Sequence, residues 1–112
     1  MVKQIKIYIS GPISSDPNHV KRFGTAEEYL KDLGYSVVNP SLIPCPEHLN
    51  PRDKTWEEWN YYMREAVKLM MDCDRIYMLE NWQNSYGAKI EHQLAKELRM
   101  PCLYETEDIE RV

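Results

Sequence analysis

The sequence has no long apolar run, no paired-cysteine motif and no excess of basic residues. No stretch approaches the roughly 20 apolar residues that a membrane-spanning helix needs, and Met1-Val2-Lys3-Gln4 lacks the apolar core of a signal peptide. A cytoplasmic chain with no membrane partner is the resulting expectation. The three cysteines, Cys45, Cys73 and Cys102, are odd in number and lack CxxC spacing, which reads as reduced thiols and not as a disulfide framework. Lys and Arg number 14 against 18 Asp and Glu, for a formal charge of −4. That balance argues against a nucleic-acid polymer, which needs clustered excess Lys and Arg. A small nucleotide stays open, because a few backbone amides hold one phosphate. His19, His48 and His92 are scattered without ligand spacing, so neither a metal nor another cofactor is expected. The loop Ser10-Gly11-Pro12-Ile13-Ser14 is neither a Walker motif nor GxGxxG.

What is present fits one compact α/β domain. The 112 residues suffice for one core and are too few for two. Ile5 to Ile9 is a β-branched apolar run stopped by Ser10-Gly11-Pro12, hence a buried first strand. Asp16-Pro17-Asn18 opens a helix in which Val20, Phe23, Leu30 and Leu33 recur at helical spacing, with Gly34 as the stop. Tyr35 to Val38 is a second strand. Residues 40–54, with Pro40, Pro44, Pro46 and Pro51, form an irregular loop of the kind that serves as a lid or partner surface. A second helix runs from Trp56 to about Cys73, with Trp59, Met63, Ala66, Val67 and Met70 on one face. Arg75 to Leu79 is a third strand, Glu80 to Ser85 a polar loop, Tyr86 to Arg99 a third helix and Pro101 to Tyr104 a fourth strand. The acidic segment 105–112 reads as a solvated tail. Alternating strands and helices imply a parallel sheet covered on both faces. Its functional edge is then at the carboxyl ends of the strands, where the loops after the first and third strands lie.

One residue fits badly with a bland helix. At ~100° per residue, Ile90, Leu94 and Leu98 define an apolar arc on the third helix, with Lys89, His92, Gln93 and Lys96 pointing elsewhere. Glu91 falls inside the arc. A buried carboxylate is rare unless paired or functional, so Glu91 is the leading candidate for chemistry, against a structural carboxylate bonded to Tyr or backbone. Gly87, one turn earlier, leaves room for a ligand or else lets the helix pack tightly on a strand. Asn84 and Ser85 are good N-caps, and with the free N–H groups of the helix start they also make an anion site. Trp82 is either a lid over the pocket or an anchor for its loop. Tyr8, near the carboxyl end of the first strand, reads from spacing as a core tyrosine with a bonded hydroxyl. Asp72 and Asp74 fall at the opposite sheet edge and read as helix-end and strand-start residues.

Three segments together resemble the nucleoside 2-deoxyribosyltransferase-like superfamily. They are Lys6-Ile7-Tyr8-Ile9-Ser10-Gly11-Pro12-Ile13, Gly34-Tyr35-Ser36-Val37-Val38-Asn39-Pro40, and Trp82-Gln83-Asn84-Ser85-Tyr86-Gly87-Ala88-Lys89-Ile90-Glu91-His92. The similarity is to the short phage and bacterial branch, with the deoxynucleoside 5′-monophosphate N-glycosidase as a better characterised relative. It implies a flavodoxin-like three-layer sandwich with four parallel strands in the order 2-1-3-4; the aromatic stripe on the second helix adds the expectation of a homodimer or larger homo-oligomer. It also implies cleavage of an N-glycosidic bond, or deoxyribosyl transfer, on a nucleoside or its 5′-monophosphate. Glu91 is then the nucleophile and Tyr8 its positioning partner. Ser10, Gly11, Pro12 and Ile13 supply substrate contacts from the first loop, and Trp82, Asn84, Ser85 and Gly87 supply them from the loop and helix start, with Ser85 on the phosphate. One departure stands out. The superfamily carries an Asp eight residues before the Asp that opens the third strand, and here that position is Ala66. A nucleotide-binding or interaction module without turnover is the alternative that Ala66 favours.

Overall fold

The structure, a computed structural model, describes residues 4–13, 16–43 and 56–111, with the backbone alone for 56–58. Four strands and three helices alternate: β1 Lys6–Ser10, α1 His19–Asp32, β2 Ser36–Val38, α2 Trp56–Met71, β3 Arg75–Met78, α3 Tyr86–Glu97 and β4 Cys102–Tyr104. All strand pairs are parallel and their order is β2-β1-β3-β4. The α/β class, the strand order and the three helices follow the sequence expectation. The Pro-rich loop begins with a 3₁₀ turn at Pro40–Leu42, and its remainder, 44–54, lies outside the described residues.

The period of two along a strand divides the core into two layers. On one face Ile7 and Ile9 of β1 and Tyr77 of β3 pack with Phe23, Ala26 and Leu30 of α1. On the other, Tyr8, Ile76 and Met78 pack with Ala66 and Met70 of α2 and with Ala88 and Ala95 of α3. The small side chains at 66, 88 and 95 let both helices approach the sheet closely. At the amino-terminal edge, Asp74 accepts from the Lys6 backbone N–H at 2.9 Å, and Asp72 pairs with the Lys6 ammonium at 2.7 Å. Both acids are structural, as expected.

Helix ends follow local chemistry. After α1, Gly34 takes a left-handed φ of 101° and its N–H bonds the Lys31 carbonyl at 2.9 Å. After α3, Arg99 occupies the equivalent left-handed position, with φ 58°. The cap of α3 is Ser85, whose Oγ accepts from the Ala88 N–H at 3.2 Å.

Several expectations are corrected. Val20 is 57% exposed and Leu98 52%, so neither belongs to a buried face; α1 buries Ala26 instead, and Leu98 sits at the C-cap, past the last turn of α3. On α2 the apolar arc splits. Ala66 and Met70 meet the sheet, while Trp59 is 38% exposed and with Met63, Val67 and Ile90 lines an outer groove between α2 and α3 of about 490 Å³. The acidic tail is not merely solvated. Ile109 packs into the α1-side core, the Tyr35 hydroxyl donates to the Glu110 carbonyl at 2.9 Å, and Glu105 accepts from the Glu80 N–H at 2.8 Å. Among the described residues α1 is the sole helix in that core cluster, and Ile109 of the tail covers part of the apolar surface beside it. No helix among the described residues is long and apolar enough to cross a membrane.

Candidate functional site

The site grows from β1. Tyr8 and Ser10 stand two residues apart, so both side chains leave the sheet on the α2/α3 face. Above them runs α3, whose buried residues are Ala88, Glu91 and Ala95. Spacings of three and four place these on one stripe. The alanines bring the helix down, and Glu91 between them reaches the strand. The Tyr8 hydroxyl donates to Glu91 Oε2, and Ser10 Oγ donates to Oε1 at 2.7 Å. Each carboxylate oxygen thus has a hydroxyl donor, and the side chains of all three residues are buried.

The electrostatics follow from that enclosure. Burial pushes Glu91 up to about 7, against the opposing pull of the hydrogen bonds from Tyr8 and Ser10. Burial first, and then the charge of Glu91, pushes Tyr8 far above its ordinary value, so it stays a phenol and a donor. A carboxylate held this way is poised between acid and base at neutral pH. It can act as a nucleophile or base when ionised and as a hydrogen-bond donor when protonated.

The remaining sequence-selected residues fall elsewhere. Gly11 is buried, and a Cβ there would meet Leu79 side-chain atoms at 2.8–3.0 Å, so the first loop crosses the end of β3 at close range. Pro12 is buried beside it, and Ile13 packs into the α1-side core, on the opposite face from Glu91. Trp82 stacks on His92 with ring centroids 4.2 Å apart, and His92 in turn bonds the Tyr104 hydroxyl at 2.8 Å. This is the loop-anchor geometry. Trp82 also borders a depression of about 170 Å³ at the carboxyl ends of β3 and β4, where Gln83 and Tyr104 are neighbours. Ser85 caps α3, and Asn84 is exposed. The room expected at Gly87 is filled: a Cβ there would stand 2.9 Å from the Met63 sulfur. Gly87 therefore permits close packing, against α2 and not against a strand. Ala66 is buried in the same cluster as Tyr8.

One residue near the site was missed. Tyr62, one turn before Ala66 on α2, donates to the Pro40 carbonyl at 2.5 Å, and burial and the charge of Glu91 both push its phenol up. Its spacing of four from Ala66 was the available signal. Among the described residues, no group of three His, Cys, Asp or Glu side chains could hold a metal ion.

Comparison with known proteins agrees with this architecture. The family model of a domain of unknown function, DUF4406, matches residues 5–104. No curated protein matches the chain. A 2-deoxyribosyltransferase from the psychrotolerant bacterium Bacillus psychrosaccharolyticus, studied as a biocatalyst for the synthesis of antiviral and antitumoral nucleosides, has a similar solved structure. The TM-score is 0.62 at 21% identity, over 94% of this chain and 77% of that one. At that identity the likeness is one of fold.

Proposed function

The chain belongs to the DUF4406 family, and from that premise we propose that it cleaves the N-glycosidic bond of a deoxynucleoside or its 5′-monophosphate, with Glu91 as nucleophile. The observation that carries this reading is a buried carboxylate, at the carboxyl edge of a parallel sheet, held by two hydroxyls. The similar fold of a 2-deoxyribosyltransferase adds support. An ionised Glu91 oxygen attacks the anomeric carbon, the C–N bond breaks, and its electron pair leaves on the base, which takes a proton from solvent. The departing base leaves oxocarbenium character at the sugar, and the carboxylate offsets that charge before the ester forms. Water then adds to the anomeric carbon, the ester oxygen departs, and the carboxylate returns. The net products are free base and deoxyribose or its phosphate; a second base in place of water gives transfer. Tyr8 and Ser10 fix the carboxylate in one orientation and offset part of its desolvation.

The test is direct. Incubate the chain with the four deoxynucleosides and their 5′-monophosphates and follow free base by chromatography. Release that Glu91→Gln abolishes is expected; no release, or release indifferent to that change, removes the glycosidase reading. A second reading has its own observation. Ala66 presents a buried methyl on the sheet-facing side of α2, at the superfamily's Asp position. A binding module without turnover fits that feature. Stabilisation by nucleotides in thermal denaturation, with no base released, distinguishes it.

A further inference from the structure

Tyr62 is a polar side chain at this corner that the proposed mechanism leaves unused. It lies on α2, half-buried, one turn before the buried Ala66, and its hydroxyl donates to the Pro40 carbonyl at 2.5 Å. The sheet register says where that carbonyl is. Val38 of β2 pairs with Tyr8 of β1, and the 3₁₀ turn that opens at Pro40, two residues on, packs against β1. Ser10 is one of the two donors to Glu91. The Tyr62 hydroxyl therefore ends at the same corner as Glu91, reaching it from α2 where Glu91 reaches it from α3. The mutual effects agree: the charge of Glu91 raises Tyr62, and Tyr62 contributes to raising Tyr8.

Proton accounting decides what Tyr62 can offer. A phenol has one proton, and Pro40 takes it, so the oxygen presents only lone pairs. The ionised Glu91 also presents only lone pairs. A corner lined by acceptors is satisfied by a ligand hydroxyl, which brings a donor, and is penalised by an anion. Displacement chemistry says which hydroxyl. Glu91 must approach the anomeric carbon from the face opposite the base. On a β-N-nucleoside, that face carries the 3′-hydroxyl. A group beside the nucleophile thus meets the 3′-hydroxyl.

Building on the proposed nucleoside chemistry at Glu91, we infer that Tyr62 is a substrate-binding residue: its oxygen, oriented by Pro40, accepts a hydrogen bond from the sugar 3′-hydroxyl. The site then selects nucleosides or nucleotides with a free 3′-hydroxyl over 3′-deoxy sugars, and over residues inside a polymer, whose 3′ oxygen is esterified.

The experiment is done in the Glu91→Gln background, where no turnover interferes. Titration calorimetry compares the tightest-binding 2′-deoxynucleoside of the four with its 2′,3′-dideoxy counterpart, with and without Tyr62→Phe. The 2′-deoxynucleoside is expected to bind about tenfold more tightly than the dideoxy compound. Tyr62→Phe is expected to remove that preference and to leave dideoxy binding within about twofold. Equal weakening of both ligands assigns Tyr62 a packing role and overturns the inference. An unchanged preference, or no binding of either compound, overturns it as well. The outcome is separable from the proposed reaction: 3′-selective binding without base release from the wild-type chain removes the glycosidase reading and upholds the role of Tyr62.

Discussion

Ser10 Oγ stands 2.7 Å from Glu91 Oε1, a contact that spans 81 positions of sequence and joins the end of the first strand to the middle of the third helix. Together with the Tyr8 hydroxyl on the other oxygen, it makes a buried unit whose protonation changes near neutrality.

That unit opposes the fold at alkaline pH. The folded chain holds the Glu91 proton up to about 7, whereas the ordinary value is 4.5. Between those values the folded state binds more protons than the unfolded one, so stability falls as pH rises through the window and is level outside it. The loss is on the order of 3 kcal/mol. Glu91→Gln, which never ionises, is expected to match the wild type near pH 4 and to exceed it in thermal denaturation at about pH 8. Equal melting behaviour at both values would show that Glu91 does not titrate in this window.

Turnover runs the other way. A nucleophilic Glu91 must be ionised, so base release is expected to rise with pH and reach half its limiting rate at about 7. Tyr8→Phe removes a donor that favours the charged form. The rise then moves to higher pH, and stability above the transition drops by about 1–3 kcal/mol because a buried charged oxygen loses its partner. The paired readout is a pH–rate profile and a melt; a profile that stays in place while the melt falls assigns Tyr8 to packing alone.

Two glycines at this edge should differ in their tolerance of a methyl group. At Gly11 the added Cβ meets Leu79 at its Cβ and Cγ, 2.9 and 3.0 Å away, close to a β3-end backbone that cannot retreat. Gly11→Ala is expected to cost about 1–3 kcal/mol. At Gly87 the obstacle within 3 Å is the Met63 sulfur, part of a flexible side chain. Gly87→Ala gains helix propensity and displaces that side chain, so the net change should lie within about 1 kcal/mol of zero. Denaturant midpoints of both variants check the order; a Gly87→Ala chain less stable than Gly11→Ala would contradict it.

The elements were legible because their signals are local. A β-branched run ending in Ser10-Gly11-Pro12, a Gly after Leu33 and a Ser before Tyr86 each act within a few residues, and each marks an observed boundary. Glu91 was legible for a related reason: helical spacing sets it in one arc with Ile90, Leu94 and Leu98, although the residues buried with it are Ala88 and Ala95. Spacing says less about the limits of burial. Leu98 shares the apolar arc yet is exposed, because α3 ends at Glu97. The tail looked polar, and its packing depended on an apolar face that α1 leaves partly uncovered.

By itself the sequence determined the strand–helix alternation and a carboxylate turned inward on α3, since backbone chemistry and periodicity act over one or two turns. Tertiary structure decided what meets that carboxylate. Tyr8 and Ser10 reach it because the alanines of α3 set the helix close to β1, and Met63 fills the room beside Gly87 because α2 packs on α3. Tyr62 joins the same corner because β2 lies beside β1 in a particular register. Such contacts join positions far apart in the chain, and no local pattern encodes their distances.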